Sequence, residues 1–195
     1  MSGFRHLDEH VTHQGYIWRV VVAEFEGPDG QRFRRDIVRS RGAVAVVPLV
    51  DVGSDVGAPA VILVNQFRPA IGREIVEIPA GMRDVDGELP IDTARRELIE
   101  EIGYEADVLE PLTMMHPSVG MTDSTTHLFV ATGLRFVGDD RQGPEESAMT
   151  TTTIALPVAL ARVADGTITD AKTALGLLLA DRWLARRATG VGAPA

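Results

Sequence analysis

The sequence predicts an α+β fold, a layered αβα sandwich of mixed sheets with a small N-terminal antiparallel β unit. Short β-branched runs recur along most of the chain, one helical stretch at residues 90–102 interrupts them, and a second helical region fills the C-terminal end. Strands and helices do not alternate as in a doubly wound sheet. No GxGxxG opens a helix either, so a dinucleotide-binding domain of that type is disfavoured.

The elements follow in order. Residues 16–25 and 33–39 read as strands flanking Gly27-Pro28-Asp29-Gly30, a sequence that closes hairpins because proline presets one turn dihedral and glycine supplies a positive one. Before them, His6, His10 and His13 are expected on a mobile terminus. Residues 43–52 and 61–67 are β-branched runs suited to strands buried on both sides, and residues 74–78 form another strand stopped by Pro79-Ala80-Gly81. Residues 90–102 have helical spacing, with Gly103 as the stop just past the C-terminus. Residues 126–132 and 150–156 read as later strands separated by a polar loop at 138–143. The remainder is helical, with Leu175, Leu178, Leu179 and Trp183 assigned to one apolar face. These elements divide into an N-terminal unit at 1–42, a main domain at 43–189 and a flexible tail at 190–195.

Composition narrows the function. With 195 residues and 45% hydrophobic side chains, the chain can build a core without crosslinks. It has no cysteine, which removes thiolate nucleophiles, cysteine-ligated zinc and disulfides, and suits a reducing cytoplasm. The first residues lack the apolar stretch of a signal peptide, and no apolar run approaches the roughly 20 residues that span a bilayer. A soluble cytoplasmic protein with no membrane partner is expected. The net charge of −9 opposes nucleic-acid binding, which draws on clustered Lys and Arg. An acidic chain can still take a phosphorylated small molecule when a cation lies between the two.

The segment 96–104, Arg-Glu-Leu-Ile-Glu-Glu-Ile-Gly-Tyr, carries the chemistry. At about 100° per residue, Glu101 lies about 40° to one side of Glu97 and Glu100 about 60° to the other, so the three carboxylates share a face. Ile91, Ala94, Leu98 and Ile102 form the adjacent stripe that anchors the helix. Carboxylates this close repel one another unless a positive group sits among them. Magnesium, which takes oxygen ligands and shares them with substrate phosphates, fits that need. Arg96, four residues before Glu100, can also brace the acids. Taken alone, the pattern favours a solvated charged face.

Its surroundings decide between the two. The run Gly81-x6-Glu88-x7-Arg96-Glu97-Leu98-x-Glu100-Glu101-x-Gly103-Tyr104 resembles the Nudix box, with one residue more between Gly81 and Glu88 than the family pattern has. The resemblance implies a loop, helix and loop whose glutamates bind divalent cations. Glu97 and Glu101 become the main ligands, Glu100 an additional one, Glu88 an outer one, and the Ala80 carbonyl a further one. Glu100 and Glu101 thereby also count as catalytic. The implied cofactor is Mg2+, with Mn2+ as a substitute, and the implied reaction is attack of water on a diphosphate linked to another group.

The flanks point to a substrate class. Gln66-Phe67-Arg68, followed by residues 74–81 (Glu-Ile-Val-Glu-Ile-Pro-Ala-Gly), is similar to the lead-in of ADP-ribose pyrophosphatases, which assigns Arg68 and Glu77 to substrate binding; structurally they can equally be a surface ion pair. Ser118-Val119-Gly120 resembles the Ser-Pro-Gly loop of the same subgroup and brings in Gly120, while Ser124 stands where some members carry a glutamate. Glu145-Glu146-Ser147 looks like the acidic loop that supplies a general base, with Glu146 first and Glu145 second. His116, beside Pro117, is a weaker candidate for touching substrate, and His127 reads as a neutral strand residue. The implied activity is hydrolysis of ADP-ribose, or a related nucleoside diphosphate sugar, to a nucleoside monophosphate and a sugar phosphate by a homodimer. The alternatives are another Nudix specificity (NADH, coenzyme A or GDP-mannose) and a domain that senses ADP-ribose without cleaving it.

Overall fold

A computed structural model describes residues 3–50, 59–138 and 147–189. The polar loop expected at 138–143 falls almost wholly, and the tail at 190–195 wholly, outside these residues, as do Glu145 and Glu146. The chain forms two compact units, one of residues 1–42 and 116–125, the other of residues 43–115 and 126–195.

In the first unit, strands β1 (Arg5–Gln14), β2 (Arg19–Glu26) and β3 (Arg32–Arg39) form an antiparallel sheet in that order. The β2–β3 turn closes as the sequence predicts: Gly30 N–H donates to the Gly27 carbonyl, and the Asp29 carboxylate accepts the Gln31 N–H. His6, His10 and His13 belong to β1 and not to a mobile terminus. Their segment pairs with β2 along its whole length, with two register shifts that the plain alternation of the sequence does not reveal. Segment 116–125 is tied to β3: Val38 N–H donates to the Met121 carbonyl, and the Thr122 hydroxyl donates to the Val38 carbonyl.

The second unit is built on a seven-stranded mixed sheet. Its path runs β10 (Thr150–Ala155), β5 (Ala60–Arg68), β4 (Ala43–Val50), β9 (Thr126–Phe136) and β8 (Tyr104–Met115), with β6 (Arg73–Glu77) paired to β5 and β7 (Ala80–Met82) paired to β4. The β4 and β9 strands are parallel; the other pairings are antiparallel. Alternation along β4 supplies both faces of the sheet. Val44 and Val46 pack with Ala94, Leu98 and Ile102 of helix α1 (Pro90–Ile102). Ala45 and Val47 pack on the other face with Leu156 and Ala159 of α2 (Leu156–Ala164) and Leu177 and Ala180 of α3 (Ala171–Ala188). Helices cover both faces, as the expected sandwich requires. No helix among the described residues is long and apolar enough to cross a membrane.

Two departures from the sequence reading have physical causes. Strand β8 carries no clean alternation, because Pro111 and a register shift beside it break the period of two. On α3, the buried stripe is Thr173, Gly176, Leu177 and Ala180; Leu175, Leu179 and Trp183 pack at its edge, while Leu178 is exposed. The small residues face the sheet because the helix lies close to it. A Cβ on Gly176 would come within 3.0 Å of both Ile78 and Val47.

Candidate functional site

Helix α1 begins at Pro90, whose missing N–H costs nothing at that position, and ends at Gly103 with φ of 77°, the left-handed conformation that glycine adopts freely. The Gly103 N–H caps the helix on the Ile99 carbonyl at 2.8 Å. Because the apolar stripe is fixed against the sheet, the orientation of the acids follows. Glu97 and Glu101 are buried at 7% and 3% exposure, an uncommon state for a carboxylate, whereas Glu100 is only partly covered.

Glu101 accepts the Ala80 N–H at 2.9 Å. Glu97 lies against Gly81, where a Cβ would stand 1.9–2.2 Å from its carboxylate atoms. Glycine at 81 is therefore a requirement of close approach and not of a turn. The short β7 strand thus holds the two buried acids from one side.

Arg96 lies among the carboxylates of the helix and its preceding loop. It donates to Glu97 at 2.9 Å, to Glu100 at 2.8 Å, to both oxygens of Glu88 at 3.3 and 3.4 Å, and to Asp84 at 3.2 Å. Glu88 also accepts the Thr93 hydroxyl at 2.8 Å. Hydrogen bonds from Arg96 and Thr93 hold the Glu88 carboxyl below its ordinary pKa. The Glu100–Arg96 contact is the i,i+4 pair expected from the sequence; the reach of Arg96 to Asp84 and Glu88 needs the fold of the loop.

As these side chains are set, no three acidic or histidine groups among the described residues converge as metal ligands. The donor set itself fits a hard divalent cation. It is all carboxylate oxygen, it comes from one helix and its preceding loop, and two of its members are withdrawn from bulk water. Buried acids of this kind need a cation beside them, and Arg96 serves Glu97 in this way. A metal would ask the carboxylates to turn from Arg96, with the helix left in place.

A second charged group lies at the end of β6. Arg68 and Glu77 form a two-pronged ion pair, Nε to Oε1 and Nη2 to Oε2 both at 2.7 Å. Glu77 also pairs with Lys172, in the first turn of α3, and Lys172 pairs with Asp170 at 3.0 Å. Burial pushes the Glu77 carboxyl up, but the hydrogen bonds and charges of Arg68 and Lys172 outweigh it and leave its pKa lowered. Asp170 caps α3 by accepting the Thr173 N–H at 2.9 Å, and the Thr173 hydroxyl accepts the Ile78 N–H at 2.9 Å. One helix turn therefore fixes Glu77 and Ile78, just ahead of Ala80 and Gly81.

The other sequence-predicted residues are spread differently. Gly120 lies in the exposed 116–125 segment of the first unit, where His116 Nδ1 is 3.2 Å from the Ser124 carbonyl. His127, in β9, has its pKa pushed down by burial and by the charge of Arg83. The sequence does not single out Lys172. An aspartate before an apolar helix marks Asp170 as a cap, but nothing local marks the lysine two residues on as the partner of a glutamate 95 positions away.

Comparison with known proteins gives a consistent picture. The family profile described as NUDIX domain matches residues 39–173. The chain is 37% identical over 163 residues to the ADP-ribose pyrophosphatase of Bacillus subtilis (strain 168), with 84% of each chain covered. It is 34% identical over 175 residues to the ADP-ribose pyrophosphatase of Mycobacterium tuberculosis (strain ATCC 25618 / H37Rv), covering 90% of this chain and 82% of that one. Among solved structures, one described as an ADP compounds hydrolase superposes with a TM-score of 0.77 over 97% of both chains at 22% identity, a likeness of fold.

Proposed function

The chain belongs to the Nudix hydrolase family, and from that premise we propose that it cuts the diphosphate bond of ADP-ribose, or a closely related nucleoside diphosphate sugar, with a magnesium ion held on α1. The observation that carries this reading is the buried pair Glu97 and Glu101, seated against Gly81 and Ala80 at the centre of the box. The similarity to two bacterial ADP-ribose pyrophosphatases supports the choice of substrate.

Glu97 and Glu101 are the main holders of the cation, with Glu100, Glu88 and the Ala80 carbonyl completing the set; manganese would serve in place of magnesium. A divalent cation supplies neutralisation of phosphoryl oxygens and a lower pKa for bound water. The chain supplies the rest. Glu146, or failing it Glu145, removes the proton from the attacking water as the new oxygen–phosphorus bond forms and the bridging oxygen departs with the other phosphate. Arg68 and Glu77 bind substrate, their pairing holding the guanidinium in one orientation, and Gly120 is a further substrate-binding residue. The products are AMP and ribose 5-phosphate. The protein works in the cytoplasm as a homodimer, a reading supported by the exposed Tyr16, Ile17, Trp18, Val119 and Met121 of the first unit.

Steady-state rates on ADP-ribose, NADH, coenzyme A and GDP-mannose with magnesium test the assignment. ADP-ribose is expected to give the highest kcat/KM, and chelation of the metal to stop turnover. A higher value on another compound moves the specificity. Tight ADP-ribose binding without cleavage of any of the four makes the protein a sensor.

Gly81→Ala is expected to harm activity more than stability. The added Cβ displaces only the far end of the Glu97 side chain, which can swing aside, but its carboxylate then leaves its seat. A displacement on this scale costs about 10²-fold in rate, and kcat beside a thermal melt gives the comparison.

A further inference from the structure

Arg83 follows β7 directly. Its Nε is buried and has no hydrogen-bond partner. Nearly all buried donors in folded proteins are satisfied, and a cationic donor is among the most costly to leave without an acceptor. Four carboxylates of the loop and helix, Asp84, Glu88, Glu97 and Glu100, are engaged by Arg96.

The strand register places the residues just ahead of this arginine. Val44 of β4 is flanked by Gly81 of β7 and His127 of β9, so these three share one face of the sheet. That is the face covered by α1, since Val44 packs with Ala94 and Leu98. Gly81 opens there directly on to the Glu97 carboxylate. Arg83 stands one residue past the end of β7 and two positions beyond Gly81, where continued period-two alternation would return it to that face. Its charge acts on Glu88 and on His127, consistent with a guanidinium between the acidic loop and β9.

We propose that Arg83 is a substrate-binding residue whose guanidinium takes an anionic oxygen of the substrate diphosphate beside the carboxylate cluster. A guanidinium matches phosphate through parallel N–H groups, and an acceptor that arrives with the ligand completes the unmade hydrogen bond of the free protein. Arg96 holds the acids and Arg83 holds the anion, so two arginines in one loop–helix unit have opposite duties. The inference rests on the proposed diphosphate hydrolysis, but its test does not depend on turnover.

The test compares wild type, R83A and R83K in the full chain by three readouts: kcat/KM on ADP-ribose with magnesium, the affinity of inorganic pyrophosphate with magnesium by titration calorimetry, and the thermal melt. For R83A, pyrophosphate affinity and kcat/KM are each expected to fall about 10- to 100-fold, the range for losing a hydrogen bond to a charged group. R83K is expected to recover only part of the loss, because an ammonium lacks the planar fork. The Tm of R83A should match or exceed wild type, since a costly buried donor has gone. Wild-type pyrophosphate affinity in R83A overturns the assignment, as does a loss accompanied by a much lower Tm. Should the wild type cleave nothing yet bind pyrophosphate through Arg83, the hydrolytic reading fails and this one stands. Cleavage of ADP-ribose with R83A equal to wild type in rate and affinity leaves the hydrolytic reading standing and removes this one.

Discussion

Glu101→Gln is expected to lower kcat for ADP-ribose hydrolysis by about three orders of magnitude, roughly 4 kcal/mol in barrier height, while the thermal midpoint moves by only a few degrees. The substitution is chosen for what it keeps. Glutamine is nearly isosteric, and its amide oxygen can still accept the Ala80 N–H that Glu101 now takes at 2.9 Å. The contact between α1 and β7 survives, and what disappears is an anionic oxygen on a nearly buried side chain. A metal that depends on that oxygen is then held weakly or not at all. Raising the magnesium concentration should recover part of the activity if weakened metal binding is the cause, and none if the residue only supports the fold. Rates across a magnesium titration, beside a melt of each variant, separate these outcomes.

Glu77→Gln is expected to have the largest effect on stability, about 3 kcal/mol, or a Tm lower by about 10 °C for a chain of this size. Glu77 is 2% exposed and answers two cations, Arg68 across the strand pair and Lys172 from α3. Removing its charge leaves Lys172 with Asp170 alone and Arg68 without its two-pronged partner. Arg68 is 40% exposed and can turn towards water, which keeps the estimate at the lower end for buried pairs.

The same group makes stability depend on pH. Its folded pKa lies below the ordinary value of 4.5, so the native state binds fewer protons there than the unfolded chain. The stabilisation is complete above the ordinary value and is lost as pH falls through the lower, folded one. Wild type should therefore lose stability steeply below about pH 4.5, and Glu77→Gln should show a shallower acid limb starting from a lower plateau. Urea unfolding at a series of pH values gives both curves. Parallel acid limbs would mean that Glu77 does not carry this dependence.

Legibility in the sequence followed the range of the interactions. Helix α1 was readable to its last residue, because Pro90 and Gly103 are local signals and its apolar stripe repeats at the helical period. Both helix layers and most strands were readable for the same reason. Strand β8 is not legible, since Pro111 and its neighbouring bulge interrupt the alternation, and β1 resembles a loose terminus because its outer faces are polar and exposed. Within the site, the grouping of Glu97, Glu100 and Glu101 needed only helix geometry. The division of that group into two buried acids and one open one needed the β7 strand, which no helical projection contains. Arg96 was legible as the partner of Glu100 but not of Asp84 and Glu88, whose positions depend on a loop. Lys172 and Arg83 were not legible at all: the first meets Glu77 across 95 residues, and the second is marked by a hydrogen bond it lacks.

The central claim, cleavage of a diphosphate bond by water in ADP-ribose, is tested most directly by turnover in oxygen-18 water with mass spectrometry of the products. The expected result is AMP and ribose 5-phosphate, with a single heavy oxygen on one of the two phosphates and no formation of either without a divalent cation. Intact ADP-ribose after prolonged incubation with magnesium, or products free of the heavy oxygen, would contradict it.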